Sequence, residues 1–386
     1  MALVVVTGYM VRHPVPGNIY AFLSYVVGFH RLGHQVVYLE ESGWPLSCYD
    51  PDRWDYSDDP TPGLRIVGRL LGRHGAGDVP VAFVNRESRA TWGLPARDVA
   101  DAVARCDLLL DVGGVNWLPE FERARRRALV DMDPVFTQAG MFGGADVDRH
   151  HAHFTYGANV GRPTCPAPTL GLDWQPTLPP VVPSMWRLGP PPGGAAFATV
   201  ANWSAYQSVE IDGRTYGPKS VEFLRLADVP RRTGQPAVVA LAGGDKRTKR
   251  LEAGGWQVAN AGFTVPDAPS YRRFIAAARA ELSPAKHGYV ASRSGWFSDR
   301  TVCFLASGRP AVVQDTGLAT AGWLDEPVGV VPFRTPAQAA DAVNAVAADW
   351  PEHSRAARRL IRRHFAHDVV LPGLLRRAGV PARQGK

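Results

Sequence analysis

Short apolar runs alternate with stretches of helical periodicity along this chain of 386 residues. The first run, Ala2–Thr7, is continuous, which is typical of a parallel strand buried on both faces. The following segment, Asn18–Leu32, has apolar residues at helical spacing, with Asn18 as a candidate N-cap and Gly33 as a candidate C′ residue. This alternation continues to the C-terminus and predicts the α/β class with parallel sheets.

The pattern predicts two such units. In the first we expect further strands at Gln35–Glu40, Val81–Val84, Asp107–Val112 and Ala128–Asp131, and helices at Leu64–Arg73, Ala96–Arg105 and Pro119–Arg127. In the second we expect strands at Phe197–Ala201, Ala237–Ala242 and Ala311–Gln314, and helices at Lys219–Asp228, Lys246–Ala253, Ser270–Ala280, Pro336–Ala348 and His353–Phe365. Ligands of open parallel sheets bind beyond the carboxyl ends of the strands, so two facing units could hold one substrate each.

A proline-rich stretch separates the two units. Seven prolines fall between Pro176 and Gly194, and such a run disfavours both a helix and a central strand. We therefore expect an α/β domain over 1–180, a linker over 181–195 and a second α/β domain over 196–365. The remaining residues, 366–386, form a C-terminal segment that could pack back on the first domain.

Charge and cysteine content disfavour several classes of protein. The formal net charge of +7 is modest for this length and suits an anionic small ligand better than a nucleic-acid groove. Four cysteines lie far apart with no C-x-x-C pair, which argues against a zinc site or a disulfide framework and favours the reducing cytoplasm. The sequence lacks the roughly 18–20 consecutive apolar residues of a membrane span, and its apolar N-terminus lacks a basic leader.

Candidate anion-binding residues are densest between Glu281 and Gly317. A helix beginning near Ser298, with that serine as its cap, would present unbonded backbone N–H groups, and Gly295 would allow an anion to approach closely. Asp315 and Thr316 follow a strand, where a carboxylate can accept hydrogen bonds from sugar hydroxyls. The basic residues that could neutralise a diphosphate around this turn are Lys286, His287, Arg293 and Arg300.

This stretch resembles the donor half of GT-B glycosyltransferases, in particular bacterial family 1-like enzymes that act on natural products. The resemblance rests on Gly295-Trp296-Phe297-Ser298, on Gly308-Arg309-Pro310 and on Gln314-Asp315. Arg293 stands in the place of the histidine of that motif. The paired glutamates of retaining members would fall at Gly295 and Cys303, so that motif is absent.

The start of each unit supports the resemblance. Gly17-Asn18-Ile19 and Gly33-His34 have the spacing of a signature in inverting members, but Asn18 replaces the usual catalytic histidine. His13, in the same loop, is then the candidate general base, and Asp133 is a competing one. The resemblance adds Asn202, Gly244 and Lys246 to the donor site, and it places Asn18, Trp117, His153 and Tyr156 against the acceptor.

Trp44 and Trp117 could stack on a sugar or an aglycone. Asp131-x-Asp133 resembles a metal-binding D-x-D motif, but at a strand end of the first unit an acceptor-facing or structural role is the simpler interpretation. His150, His151 and His153 lack a fourth metal ligand at a sensible spacing, which favours a polar loop.

The resemblance implies a GT-B architecture, with two doubly wound, Rossmann-like domains facing each other across a cleft. The first domain would bind a small-molecule acceptor and the second a nucleotide diphosphate sugar, with inversion and without a metal or other cofactor. A sugar-nucleotide 2-epimerase of the same fold and a non-catalytic binding protein stay open as alternatives, as does a homodimer. Glycosylation of DNA bases would require strong salt-dependent binding to duplex, and we expect no nucleic-acid partner.

Overall fold

The computed structural model describes residues 1–140, 144–203, 205 and 207–381. In the first half these residues form β1 (Leu3–Thr7), β2 (Gln35–Ser42), β3 (Cys48–Asp50), β4 (Asp55–Ser57), β5 (Val81–Asn85), β6 (Thr91–Trp92), β7 (Leu108–Val112), β8 (Arg127–Asp131), β9 (Ala152–Thr155) and β10 (Trp174–Pro176). The α-helices of this half are α1 (Pro16–Arg31), α2 (Thr61–Arg73) and α3 (Ala96–Arg105). Short 3₁₀ turns cover Pro119–Arg123, Gly144–Arg149 and Pro183–Trp186.

The second half repeats the alternation of strand and helix. Its strands are β11 (Phe197–Asn202), β12 (Val209–Ile211), β13 (Arg214–Tyr216), β14 (Ala237–Ala242), β15 (Trp256–Asn260), β16 (Ala280–Ser283), β17 (Ala311–Gln314) and β18 (Val330–Phe333). Its helices are α4 (Lys219–Arg225), α5 (Val229–Thr233), α6 (Lys249–Ala253), α7 (Ala261–Thr264), α8 (Ala268–Ala277), α9 (His287–Ser292), α10 (Asp299–Ala306), α11 (Pro336–Ala348), α12 (Trp350–Leu360) and α13 (His367–Arg377). Lys246–Thr248 and Leu318–Thr320 are 3₁₀ turns, and Ile361–Phe365 is a π-helical turn.

Two twisted sheets organise the described residues. The first has the strand order β10-β9-β8-β7-β1-β2-β5-β6 and is parallel except at its β5–β6 edge. The second has the order β15-β14-β11-β16-β17-β18 and is parallel throughout. Strand order reverses beside β1 in the first sheet and beside β11 in the second, so ligands are expected at the carboxyl ends of these strands. This doubly wound α/β architecture confirms the predicted fold class.

The C-terminal helix α13 packs against α1 of the first half. Gly28 allows this contact, because a Cβ at Gly28 would lie 2.6 Å from Leu371 Cδ1. The proline-rich stretch also contacts this region, since Val181 forms an isolated β-bridge with Ala366. Its side chains Val182, Met185 and Trp186 are buried, so packing fixes this stretch in place.

Several predicted boundaries are wrong in detail. Helix α1 begins at Pro16, with Val15 in the N-cap position, because proline is preorganised for the first turn of a helix. Asn18 therefore lies within the first turn and is not the N-cap. The helix predicted over Pro119–Arg127 is only a 3₁₀ turn that ends at Arg123, since Arg127 already pairs with β7 as the first residue of β8.

The hairpins β3–β4 and β12–β13 and the helix α9 were not predicted, because each is too short to show a clear period. The four cysteines are free and buried. None of the helices in the described part of the chain is both long enough and apolar enough to cross a bilayer.

Candidate functional site

A cavity of about 1000 Å³ lies between the two sheets. Residues that follow β1 and β8, including Tyr9 and Asp133, line it from the first half. Asn202, Gly243 and Lys286, which lie at or beyond the carboxyl ends of β11, β14 and β16, line it from the second half. The cavity therefore occupies the position that the two strand orders predict for a ligand.

The N-terminus of α10 opens onto this cavity. Ser298 is the N-cap residue of the helix, and both Ser298 and Asp299 line the cavity wall. The Ser298 side chain does not cap the helix as the sequence suggested, because Asp299 Oδ1 accepts the Arg300 N–H at 2.8 Å. The positive end of the helix dipole nevertheless faces the space between the sheets.

Arg300 holds a fixed positive charge in the same wall. Its Nε donates to Glu281 Oε1 at 2.6 Å, its Nη1 to the Val200 carbonyl at 2.9 Å and its Nη2 to Ser283 Oγ at 2.5 Å. These bonds tie the guanidinium to β11 and β16. Arg300 can therefore attract an anion by its charge and by its remaining N–H groups, while its bonds to the protein keep the guanidinium in place.

Lys219 is the site residue that sequence reasoning missed. It is the first residue of α4, is 8% exposed and lines the cavity. Among the described residues its ammonium has no hydrogen-bond or ion-pair partner. Burial, together with repulsion by Arg300 and Lys286, lowers the pKa of Lys219 well below its usual value. The charges of Glu281 and Asp299 oppose that shift without bonding the ammonium directly. A buried ammonium that no carboxylate bonds has the chemistry of an anion-binding group.

A signal for Lys219 was present in the sequence. A cation at the first position of a helix opposes the helix dipole, which makes Lys219 an unfavourable choice for the fold alone.

Lys286 and Asp133 join the two halves across the cavity. The Lys286 Nζ and the Tyr289 hydroxyl both donate to Asp133 Oδ1. Burial lowers the pKa of Lys286, and the charge of Asp133 opposes that shift. Asp131 faces the interior instead, where its carboxylate accepts from the hydroxyls of Thr137 and Thr155, so it serves the local structure.

The loop after β1 places His13 in the cavity wall. Glu40 holds this loop by accepting the N–H groups of Val11 at 2.6 Å and Arg12 at 2.8 Å. Burial and the neighbouring Arg12 lower the pKa of His13, so its imidazole is neutral at pH 7 and can accept a proton. Asn18 lines the same wall, and its amide reaches the His13 carbonyl at 3.5 Å.

Four of the predicted donor residues build the turn around Trp296 rather than the cavity surface. Arg293 has a left-handed backbone and an exposed side chain, whereas Gly295 faces inward, where a Cβ would lie 2.9 Å from Asn159 Nδ2. Thr316 Oγ1 donates to the Trp296 carbonyl at 2.7 Å. Asp315 accepts two backbone N–H groups and pairs with Arg334 at 2.7 Å. None of these four residues lines the cavity.

The other predicted binding residues also fall into two groups, those that line the cavity and those that do not. Asn202 and Tyr156 line the cavity, with the Tyr156 hydroxyl 2.8 Å from that of Tyr25. Gly244 and Lys246 are exposed beside the cavity but outside its lining. Trp117 is buried against Phe121 and His150, and His153 is bonded to the Val147 carbonyl at 2.7 Å. Neither Trp117 nor His153 can contact a ligand in the cavity as placed.

Asn159 fastens the turn around Trp296 to the first half of the chain. It is 1% exposed, and its Nδ2 donates to the carbonyls of Arg293 at 2.9 Å and Gly317 at 3.0 Å. Its Oδ1 accepts from Thr320 Oγ1 at 3.1 Å. Trp296 adds a bond from its Nε1 to the Met132 carbonyl at 2.9 Å. The turn is thus packed on one side and open to the cavity on the other, through Trp296 and Ser298.

No family model matches the sequence, and neither does any curated protein. Solved structures match along the whole chain. HepE of Anabaena, in complex with UDP and glucose, is 10% identical with a TM-score of 0.57 over 99% of this chain and 100% of its own. An alpha-glucosyltransferase bound to UDP and a 13-mer DNA is 9% identical, with a TM-score of 0.60 over 98% and 100%.

AviGT4, a glycosyltransferase involved in avilamycin A biosynthesis, is 15% identical with a TM-score of 0.50 over 98% and 97% of the two chains. These similarities confirm that the chain has the GT-B fold of glycosyltransferases, as the resemblance implied.

Proposed function

We propose that this protein is a glycosyltransferase that moves a sugar, most simply a hexose, from a nucleotide diphosphate sugar to a hydroxyl of a small-molecule acceptor. The observation that carries the proposal is the buried side chain of Lys219 in the wall of the cavity between the two halves, where no residue that the structure describes pairs with its ammonium. The GT-B fold, shared with solved glycosyltransferase structures in complex with UDP, supports this assignment.

In the proposed donor site, the diphosphate lies against Lys219, Arg300 and the N-terminus of α10. Arg300 and the helix dipole are in place before the substrate arrives, and a bound diphosphate favours the protonated form of Lys219. All three can then stabilise charge that develops on the departing diphosphate. Since these groups supply positive charge from the protein, the proposed reaction needs no divalent metal. Asn202, at the end of β11, lies in the same wall and is placed to contact the nucleotide sugar.

In the proposed acceptor site, neutral His13 takes the proton of the acceptor hydroxyl. The hydroxyl oxygen bonds to the anomeric carbon while the bond from that carbon to the phosphate oxygen breaks, and the nucleoside diphosphate leaves with the electron pair. Attack from the face opposite the leaving group inverts the anomeric centre. Asp133 is less suited to be the base, because it already accepts from Lys286 and Tyr289.

Calorimetric titration with UDP, TDP and GDP tests the donor site. At least one of them should bind the wild type, and Lys219→Met should weaken that binding about 10–100-fold, as expected for the loss of a charge-assisted hydrogen bond worth roughly 1.5–3 kcal/mol. Lys249→Met is the matched control, since Lys249 is exposed on α6 outside the cavity lining. If none of the three nucleotides binds, or if Lys219→Met binds as the wild type does, the proposed function is wrong.

A second experiment separates transfer from epimerisation. A glycosyltransferase consumes the nucleotide sugar in step with the acceptor, whereas a 2-epimerase converts it without any acceptor. Product analysis of UDP-glucose incubations with and without an acceptor therefore decides between these two activities.

A further inference from the structure

Exposed large apolar side chains, four of them aromatic, gather where the cavity opens to solvent. We call this surface the aromatic mouth, and it consists of Trp44, Leu46, Trp54 and Tyr56 from the first half and Phe263 from the second. The four from the first half line the cavity, and the ring of Phe263 packs against that of Trp54 at a tilt of 38°, with centroids 5.0 Å apart. Their exposed fractions run from 46% to 76%. Such a concentration of exposed apolar surface at a cavity entrance is typical of a binding site.

The hairpin β3–β4 positions much of this surface. Tyr49 and Tyr56 face each other across the hairpin at 5.1 Å, and the ring of His13 lies nearly parallel to that of Tyr56 at 6.2 Å. The proposed base is therefore part of the same aromatic wall. A flat ring resting on Tyr56 would bring a substituent hydroxyl close to the His13 imidazole.

The tip of the hairpin contacts the second half of the chain. Trp54 has a left-handed backbone with φ of 59°, which directs its indole towards α7. Gly262 allows this approach, because a Cβ there would lie 2.5 Å from Trp54 Cη2. Trp54 therefore forms the edge of the aromatic mouth together with α7 of the second half.

The chemistry of the mouth favours an apolar acceptor. Much of the neighbouring lining is apolar, including Val15, Pro16, Pro51, Val265 and Pro266, and the amides of Asn18 and Asn260 add a few polar groups. Ser47, one of the few hydroxyls there, is already bonded to Ser42 at 2.6 Å. The guanidinium of Arg12 lies 5.0 Å above the Trp44 ring and donates to the Glu41 carbonyl. A sugar acceptor would need several hydrogen-bonding groups here, and DNA would need several cations.

We propose that the aromatic mouth is the acceptor subsite, and that the acceptor is a hydroxylated aromatic or fused-ring small molecule. Its flat apolar body stacks on Tyr56 and Trp54, and its hydroxyl points inward to His13. This inference rests on the proposed function and specifies its acceptor class. Aromatic rings favour offset or edge contacts with one another, and the tilted rings of this surface provide both.

The test measures binding of 4-methylumbelliferone, a flat phenol, by calorimetry in the presence of saturating UDP. It should bind the wild type, and Tyr56→Ala and Trp54→Ala should each weaken its binding at least fivefold. Tyr56→Phe should keep the affinity, because the ring and not the hydroxyl makes the contact. Leu170→Ala is the matched control, since Leu170 is 50% exposed but lies outside the cavity lining.

Titrations with cellobiose and with a 13-base-pair duplex DNA complete the experiment. The inference is overturned if 4-methylumbelliferone does not bind, if its affinity is the same in all variants, or if either polar ligand binds more tightly. UDP affinity and melting temperature in each variant show that the fold and donor site are intact. If UDP binds normally while the aromatic ligand fails, the acceptor assignment is wrong and the proposed function stands, whereas failure of nucleotide binding refutes the function itself.

Discussion

Replacing Asn159 by alanine should loosen the contact between the two halves of the protein. The substitution removes both donors and the acceptor of a buried side chain that joins the first sheet to the turn around Trp296. The Gly317 carbonyl keeps the Thr320 hydroxyl as a donor, but the Arg293 carbonyl loses the bond that Asn159 supplied.

The cost can be worked out from these contacts. Each lost hydrogen bond contributes roughly 0.5–1.5 kcal/mol, and a carbonyl left without a donor costs roughly 1–3 kcal/mol when it is buried. The Arg293 carbonyl is only partly buried, so we expect the free energy of unfolding to fall by about 2–3 kcal/mol. For a domain of 150–250 residues this corresponds to a melting temperature lowered by about 4–12 °C.

Differential scanning calorimetry of Asn159→Ala and Thr320→Val measures this cost. Thr320→Val removes only the hydroxyl that donates to Asn159 and Gly317 at an exposed position, so its melting temperature should fall by much less. Asn159→Asp should be less stable than Asn159→Ala at pH 7, because its carboxylate would face two carbonyl oxygens. A melting temperature of Asn159→Ala within 1 °C of the wild type, on the order of the experimental error, would refute the reasoning.

Three further predictions concern charge, proton transfer and packing. Lys219→Met should have a higher free energy of unfolding than the wild type at pH 7, because a lysine with a lowered pKa binds fewer protons in the folded state than in the unfolded state. The wild type therefore gains stability as the pH rises, and urea unfolding at several pH values should show the difference between the two proteins shrinking towards pH 10. A difference that is absent at pH 7 or grows with pH contradicts this prediction. His13→Ala should abolish most turnover of UDP-glucose with a phenolic acceptor, while UDP still binds. The wild-type rate should fall only below pH 6.5, because burial lowers the pKa of His13. A near-normal rate in His13→Ala would show that His13 is not the base. Gly28→Ala should lower the free energy of unfolding by about 1 kcal/mol, because its new methyl group would clash with Leu371. Gly68 is exposed in α2, so Gly68→Ala should instead raise the free energy of unfolding by up to about 1 kcal/mol. Thermal melts in which both variants are more stable than the wild type would contradict the packing argument.

Much of the fold could be predicted from local sequence patterns. Ala237–Ala242 and Ala311–Gln314 are strands with the predicted bounds, and Ala96–Arg105 and Pro336–Ala348 are helices with the predicted bounds. A strand buried on both faces must be apolar throughout, and the apolar residues of an amphipathic helix must recur about every 3.6 residues. These patterns of burial can therefore be recognised in the sequence. The start of α10 and the basic residues Lys286 and Arg300 were found in the same way, because helix starts and charges are local features.

Which side chains meet in the cavity depends on how the two halves fold and pack. Lys219 and Arg300 are far apart in sequence and adjoin because β11 and β16 pair side by side. Gly295 and Thr316 were predicted to bind the donor, and in the structure they support the turn around Trp296, against which Asn159 from the other half packs. Local sequence patterns were enough to predict two parallel α/β units and the start of α10 beside basic residues. The directions of side chains and the contacts between the halves depend on long-range packing, which leaves no local periodicity in the sequence.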